Sequence, residues 1–445
     1  MITKQKHTPQ LGLFHGLAEL LDQSHPLYIL AKMINWRFFE DKFGEHYSEK
    51  MGAPAKPIRL MVSLLILKYL RNLSDENLVE QWSENNYFQY LGGEQFFRPC
   101  IPCVPTELVA FRHRIGEAGM ELILQESIRI NTPKDGGEIG NIISVDTTVQ
   151  EKNITYPTDD KLYKKIIVKC LSIAKKEGLQ LRQTYAKELK KLGYLQRFKK
   201  RKNGMRIARK ASKRVKTIAG RLVREIEQKL KPVMLSSYRD EIELYRKVLA
   251  QKRGDSNKIY SLHEPNVKCY AKGKDHKKFE FGSKVSVVVC QSTGVIMGAL
   301  NFTETLHDSK TIPAALEQFE RINNKEAIEV FADRGYRGKK TYKTSKIHTP
   351  QPDSNITQQK RSCHSKRAAI EPIIGHLKQD YRMGRNFLKG IIGDQVNVIL
   401  AAAAMNFKRV INLWKKEANL SWQPFCKWLV NVYWDIIVQT LIMTF

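Results

Sequence analysis

Residues 140–151 read GNIISVDTTVQE, an apolar run in which one acidic side chain, Asp146, stands among β-branched residues. β-Branched residues favour a strand, and the turn-rich stretch at 131–140 (NTPKDGGEIG) indicates that a new unit of structure begins just before it. A carboxylate within a buried strand is costly unless a cation or hydrogen bonds satisfy it. Asp146 is therefore the first candidate functional residue.

A strongly basic segment follows this strand. Residues 161–231 contain 25 Lys and Arg against 4 Asp and Glu, with apolar residues at helical spacing. This excess favours phosphate contact, although a solvated helical face is the alternative. The whole chain of 445 residues has a formal net charge of +30, which indicates a polyanionic partner. Charge alone would also suit RNA or an anionic membrane.

The residues before Asp146 read as helices. Residues 57–92 form a compact helical unit, in which Pro57 can open one helix and Ser74 can cap the next. A further helix is predicted to begin near Thr106. Two interpretations of these helices stay open, a DNA-end-binding domain and a structural or dimerisation bundle.

Strand-like patterns return downstream of the basic segment. Residues 277–291 and 294–304 read as two strands joined by a turn at Ser292–Gly294, and a helix is predicted over 309–323. The stretch EAIEVFADRGY then reads as a strand, and Ile370 to Tyr381 as an amphipathic helix. This order predicts an α/β fold with helices packed on a mixed sheet.

The predicted organisation has five parts: a helical N-terminal domain (1–135), the first core strand (136–160), a basic helical insertion (161–255), the rest of the core (256–410) and a helical tail (411–445). Within the tail, polar residues recur every four positions, which predicts packing on the body of the protein rather than a membrane span. The N-terminus has no apolar signal core, so we expect a cytoplasmic, nucleoid-associated protein.

Two further carboxylates stand out by position. Asp333 ends an apolar strand just before Arg334-Gly335, and Glu371 stands at the start of a helix. Asp308 is interpreted as a helix N-cap and left outside the site. The scattered histidines lack the spacing of zinc ligands. Cys100 and Cys103 have a CxxC spacing but no second pair nearby, so ordinary reduced thiols are favoured over a zinc site.

Four separated motifs resemble the DDE transposases of bacterial insertion sequences, of the "IS five" type. The first contains Asp146, the second leads into a core strand, the third contains Asp333, and the fourth contains Glu371. They read ISVDTTVQEKNITYPTDDKL (143–162), AKGKDHKKFEFGSKVSVVV (271–289), EVFADRGYRGKK (329–340) and RAAIEPIIGHLKQDYRMGRNFLKG (367–390).

The resemblance implies an RNase H-like mixed-sheet core with a helical insertion after its first strand. It implies that Asp146, Asp333 and Glu371 are the catalytic carboxylates and the ligands of two Mg²⁺ ions, for which Mn²⁺ can substitute. Arg367 and Lys378 reproduce the family's Arg-x3-Glu-x6-Lys spacing around Glu371. On one helical stripe, the Glu would ligate metal while both cations face phosphate; simple surface pairs are the alternative.

One residue departs from the family pattern. His364 stands where related transposases often have tyrosine, so the tyrosine's role is not carried over, although an imidazole can contact phosphate. Pro372 directly after Glu371 predicts that the helix begins close to the Glu, with Arg367 on an irregular turn. The candidate DNA-binding residues are Arg367, Lys378, His364, Lys274, His276, Lys199, Lys200, Arg201, Lys202, Arg206, Arg209 and Lys210.

The predicted function is that of an insertion-sequence transposase, which binds terminal inverted repeats, cleaves the element ends and transfers their 3′-OH groups to target DNA. Its expected partner is double-stranded DNA, with the protein as a homo-oligomer on that DNA and no membrane involved. Two alternatives stay open: a DNA-binding repressor or inactive remnant without catalysis, and a nuclease of the same fold that cuts but does not join.

Overall fold

The computed structural model describes residues 16–48, 54–133, 139–198, 202–252, 254–274, 277–338, 340–350 and 357–442. Its N-terminal part is helical, as predicted, and Ser74 caps the fifth helix by accepting a hydrogen bond from the Asn77 amide at 3.1 Å. The helices are α1 (Leu17–Leu20), α2 (Pro26–Met33), α3 (Trp36–Gly44), α4 (Ile58–Leu70), α5 (Asp75–Glu84), α6 (Asn86–Leu91) and α7 (Pro105–Asn131).

The first strand is followed by a helical segment and then by the rest of the sheet. The elements are β1 (Ile142–Glu151), α8 (Asp159–Lys176), α9 (Ala186–Arg197), α10 (Gly204–Lys229), α11 (Pro232–Ala250), β2 (Lys268–Lys274), β3 (Lys277–Cys290), β4 (Ile296–Phe302), α12 (Ile312–Asn323), β5 (Glu329–Phe331), β6 (Thr341–Tyr342), β7 (Ser345–His348), α13 (Gln358–Arg367), α14 (Ile370–Gln379) and α15 (Gly390–Ile442). The predicted turn between β3 and β4 is confirmed, and Gly294 there has a φ of 73°.

These strands form one mixed sheet, so the predicted α/β class is confirmed. The order is β2-β3-β1-β5-β7-β6, and β4 pairs with β3. β1 runs antiparallel to β3, with Asp146 opposite Val287, and parallel to β5, with Ser144 opposite Phe331. β5 in turn runs parallel to β7. The centre of the sheet is therefore a parallel trio flanked by antiparallel strands.

Apart from a small cluster of Leu17, Leu21 and Tyr28, two hydrophobic cores hold the described part of the protein together. One joins α2 to α7, the sheet and α15, and it includes Ile143 and Val145 of β1 at 0% exposure. The other lies within α8 to α11, where Val215, Ile218 and Leu222 of α10 are buried. The basic segment between β1 and β2 is thus a helical unit with its own core, which can present its charged faces to solvent.

The C-terminal helix is part of the main core. Gly390–Lys416 of α15 is long and apolar enough to cross a membrane, but 72% of its most apolar window is buried inside the protein. It packs against α7, β4 and α4, and the Asn406 side chain accepts a hydrogen bond from the amide of Ile296 at 2.9 Å. The predicted polar stripe of the tail involves side chains after residue 416, which lie outside the described ones.

Candidate active site

The register of the parallel strands places two aspartates side by side. Ser144 lies opposite Phe331, and Asp146 and Asp333 each follow two residues later along the chain. Asp146 accepts a hydrogen bond from the Thr147 amide at 2.8 Å, and Asp333 accepts one from the Gly335 amide as it caps a short 3-10 helix, Arg334–Tyr336. Two of the predicted carboxylates are therefore neighbours.

The charge state of Asp146 reflects this surrounding. Burial raises the pKa of Asp146 to about 6, and the charges of Asp333 and Asp308 act in the same direction. The Thr147 amide and the Arg367 guanidinium oppose the shift. Asp146 is thus an acidic group that lacks sufficient positive charge around it.

Asp308, which was not predicted as a site residue, joins the two predicted aspartates. Its Oδ1 accepts hydrogen bonds from Thr147 Oγ1 at 2.7 Å and from Lys284 Nζ at 2.8 Å. Although burial opposes its ionisation, the bonds from Lys284 and Thr147 lower the pKa of Asp308. The N-cap interpretation of Asp308 is wrong, because His307 occupies the cap of the 3-10 helix at 308–310. We call Asp146, Asp308 and Asp333 the aspartate cluster.

Tyr336 closes the cluster from the protein side. Its side chain is only 1% exposed, and its pKa is raised well above the ordinary value by burial and by the three aspartate charges. Burial of a neutral phenol behind the carboxylates excludes water from that side. The DRGY sequence that supplies Asp333 also supplies this tyrosine, but only the fold shows that it faces the cluster.

Glu371 lies on an adjacent element and not within the cluster. α14 begins at Ile370, so the predicted helix start close to Glu371 is confirmed. The prediction that Arg367 lies on an irregular turn is wrong, because Arg367 is the last residue of α13 and the turn is formed by residues 368–369. The three motif residues therefore do not share one continuous helix. Glu371 is exposed on the first turn of α14, which packs against β1. Ile370 and Leu377, at 1% and 0% exposure, anchor that helix in the core.

Two family models match this chain. Transposase domain (DUF772) matches residues 15–114, and Transposase DDE domain matches residues 261–407, a range that includes Asp308, Asp333 and Glu371. The chain belongs to the DDE transposases of insertion sequences. The resemblance stated from its motifs is thereby confirmed, and the mixed sheet is the RNase H-like core of this family.

One curated relative matches the chain over a shorter range. The transposase is 38% identical over 177 residues to "Uncharacterized protein ORF8 in nfe locus" of Rhizobium meliloti. The aligned region covers 39% of the transposase and 85% of the relative. No solved structure matches the transposase.

The residues of the transposase fit a divalent cation by their chemistry. Carboxylate oxygens are the ligands that Mg²⁺ and Mn²⁺ prefer, and a cation between Asp146 and Asp333 would relieve their mutual repulsion. Across the described ranges, no three His, Cys, Asp or Glu side chains are grouped closely enough to hold one ion. The participation of Glu371 therefore stays a prediction.

The candidate DNA-binding residues are spread over several surfaces. Lys202, Arg206, Arg209 and Lys210 are exposed at the start of the α10 segment. His364 packs edge-on against Phe331, with 5.0 Å between ring centroids, and burial lowers its pKa, so the structure shows a packing contact for it. Lys199, Lys200, Arg201 and His276 lie outside the described residues, as does the side chain of Lys274.

Gly335 offers a direct probe of the aspartate cluster. A Cβ atom at this position would lie 3.0 Å from Oδ1 of Asp333 and 3.3 Å from Oδ2 of Asp308. We expect Gly335→Ala to displace these carboxylates and slow the DNA reaction by about tenfold to a hundredfold, with little change in thermal unfolding. Gly44→Ala is the matched control, because nothing lies within 4 Å of a Cβ there. Unchanged rates in Gly335→Ala would show that the cluster is not the reactive site.

Proposed function

We propose that this transposase binds the terminal inverted repeats of its element, cleaves DNA at the element ends and transfers the 3′-OH ends to target DNA. Asp146, Asp333 and Glu371 bind two Mg²⁺ ions in this proposal, and Mn²⁺ can replace them. Such a pair of ions activates the attacking nucleophile and stabilises the leaving oxygen at a phosphodiester. The protein works in the bacterial cytoplasm, at the nucleoid.

One observation carries this proposal. Asp146 lies on β1 and Asp333 lies just after the end of β5, the neighbouring parallel strand, and burial together with the charge of Asp333 raises the pKa of Asp146 to about 6. A protein that only binds DNA gains nothing from acidic groups held together beside phosphate. The arrangement therefore favours a cation-dependent reaction over the repressor alternative.

The remaining site residues orient the DNA strand. The Arg367 guanidinium lowers the pKa of Asp146, so it lies within electrostatic reach of the cluster, where it can pair with the scissile phosphate. Lys378 follows on α14, two turns beyond Glu371. Thr147 and Lys284 hold Asp308 at the base of the site and thereby fix the backbone next to Asp146.

The proposal is tested by supplying the purified protein with duplexes that end in the inverted repeats found in the flanking genome. We expect Mg²⁺-dependent cleavage at the repeat boundary, and joining of pre-cut ends to a target duplex. Cleavage without joining would indicate a nuclease of the same fold. Binding without either reaction, under Mg²⁺ and Mn²⁺, would favour the repressor or inactive remnant.

The basic insertion is expected to supply sequence-independent affinity. Arg206, Arg209 and Lys210 are exposed on the first turns of α10, whereas Arg214 is paired with Glu188 at 2.6 Å. We expect the triple replacement of these three residues by Ala to reduce the slope of log K against log salt by about 2 to 3. Arg214→Ala is the control, with a smaller change in that slope. An unchanged slope in the triple variant would show that these three side chains of α10 do not contact DNA phosphates.

Oligomerisation belongs to the same proposal. Joining two element ends requires that both ends be held together, so we propose a homo-oligomer on DNA. Light scattering of the protein with and without an end duplex tests this: a complex with two or more protein chains per pair of ends is expected, and a strictly one-to-one complex contradicts it.

A further inference from the structure

A second concave site lies at the C-terminal end of β1, next to Glu151. It is a cavity of about 880 Å³ between the segment after β1, the start of β3 and the loop that joins α14 to α15. Cavities of this size commonly accommodate small organic ligands. We call it the distal cavity; its lining includes Tyr156, Lys161, Lys278, Phe279, Phe281 and Arg385.

Exposed aromatic rings form part of the distal cavity. Tyr156 is 60% exposed and Phe279 is 44% exposed, although both lie on the catalytic core of the fold. The ring of Phe281, which also lines the cavity, packs against Tyr156 and Tyr260, at 5.4 Å and 5.2 Å between ring centroids. Exposed aromatic rings that line a cavity provide a stacking surface for a planar ligand.

Positive charge surrounds these rings. Lys161, Lys278 and Arg385 line the same cavity, and all three are exposed. Lys161 Nζ donates to the Tyr156 carbonyl oxygen at 2.9 Å, which holds its charge next to the aromatic ring. Glu151 lines the cavity as well. Aromatic faces next to cations match the bases and phosphates of a nucleic acid strand.

The walls of the distal cavity are tied together by backbone hydrogen bonds. The Lys152 amide donates to the Phe281 carbonyl oxygen at 2.9 Å, the Asn153 amide to that of Asn386 at 2.8 Å, and the Asn386 amide to that of Glu151 at 2.7 Å. Beneath them, the buried Lys152 ammonium pairs with Asp394 at 2.7 Å and with Glu264 at 3.4 Å. A site held in this way does not have to be ordered by its ligand, which favours binding.

We propose that the distal cavity binds an unpaired nucleotide of the DNA substrate, with the base stacked on Tyr156 and Phe279 and its phosphates against Lys161, Lys278 and Arg385. This inference rests on the proposed function, because it takes DNA as the substrate. Glu151 follows Asp146 by five residues in β1, a separation of about 17 Å at about 3.4 Å per residue. Along a DNA strand this corresponds to about five nucleotides from the reacting phosphate.

Binding without cleavage tests this inference. The full chain is titrated, in EDTA, with a blunt duplex and with the same duplex carrying a short single-stranded overhang that contains the fluorescent base 2-aminopurine. We expect the overhang duplex to bind more tightly and its fluorescence to change on binding as the base stacks. Tyr156→Ala and Phe279→Ala are each expected to weaken overhang binding by about fivefold to a hundredfold and to leave blunt-duplex binding within about twofold.

Two control variants complete the experiment. Tyr156→Phe keeps the ring and should keep the preference for the overhang. Phe96→Ala removes a ring that is 56% exposed in the N-terminal helical part and should change neither affinity.

The outcomes separate this inference from the proposed function. Equal binding of both duplexes by the wild-type protein, or an unchanged preference in both Ala variants, would overturn the distal cavity as a nucleotide site while cleavage stands. A clear overhang preference without cleavage in Mg²⁺ would contradict the proposed reaction alone. No binding of either duplex would contradict both.

Discussion

Asp333→Asn is expected to slow cleavage of an element-end duplex by about a thousandfold or more, with DNA affinity changed by less than about threefold. The amide has the size of the carboxylate, and its oxygen can still accept the hydrogen bond from the Gly335 amide. It lacks the charge that a divalent cation requires. The measurement is the single-turnover cleavage rate beside the dissociation constant for the same duplex.

Three further variants are compared with Asp333→Asn in the same cleavage assay. Glu371→Gln is expected to lose as much activity as Asp333→Asn, and Asp308→Asn less, because Lys284 already neutralises Asp308 at 2.8 Å. Asp240→Asn, an exposed position on α11, serves as the matched control. Cleavage by Asp333→Asn at the wild-type rate would remove the aspartate cluster from the reaction, and a silent Glu371→Gln would exclude Glu371 as the third ligand.

The second large effect concerns the stability of the metal-free protein. The folded state raises the pKa of Asp146 from 3.8 to about 6, so ionisation of this group opposes folding. The destabilisation is absent below about pH 4, grows between about pH 4 and pH 6, and is complete above about pH 6. We expect Asp146→Asn to be more stable than wild type in EDTA at pH 7, by about 1–3 kcal/mol.

With a divalent cation bound, we expect the wild type to become more stable than Asp146→Asn. Mg²⁺ or Mn²⁺ stabilises the folded state in proportion to its binding, so it should raise the unfolding temperature of the wild type and have little effect on Asp146→Asn. Thermal unfolding at pH 4 and pH 7, with EDTA and with each cation, provides all the comparisons. If Asp146→Asn is no more stable than the wild type at pH 7, ionisation of Asp146 does not destabilise the folded state. Equal cation responses would place the bound cation elsewhere.

Local sequence patterns were sufficient for the secondary structure around the site. The β-branched run at 142–149 forms β1, the apolar face of 370–381 packs on the core, and the basic segment forms helices. Pro372 correctly indicated the break before α14, because a proline is tolerated only in the first turn of a helix. These features depend on residues within a few positions of one another.

Long-range pairing was visible only through the family motifs. Residue spacing gave no reason to bring Asp146 next to Asp333, 187 positions later in the numbering; the parallel pairing of β1 with β5 does so. The same motifs resemble known transposases, and the family models confirm that resemblance. Family knowledge thus supplied what periodicity could not.

The sequence by itself determined the strands, the helices, the excess of positive charge and, through its motifs, the family. Only the tertiary structure decided that Asp308 joins the aspartates through Thr147 and Lys284, that α15 crosses the main core, and that Tyr156 and Phe279 meet three cations at the distal cavity. The physical reason is the range of the forces involved. Backbone propensity and periodic burial act between near neighbours, whereas charge pairing and cavity formation depend on how distant segments pack.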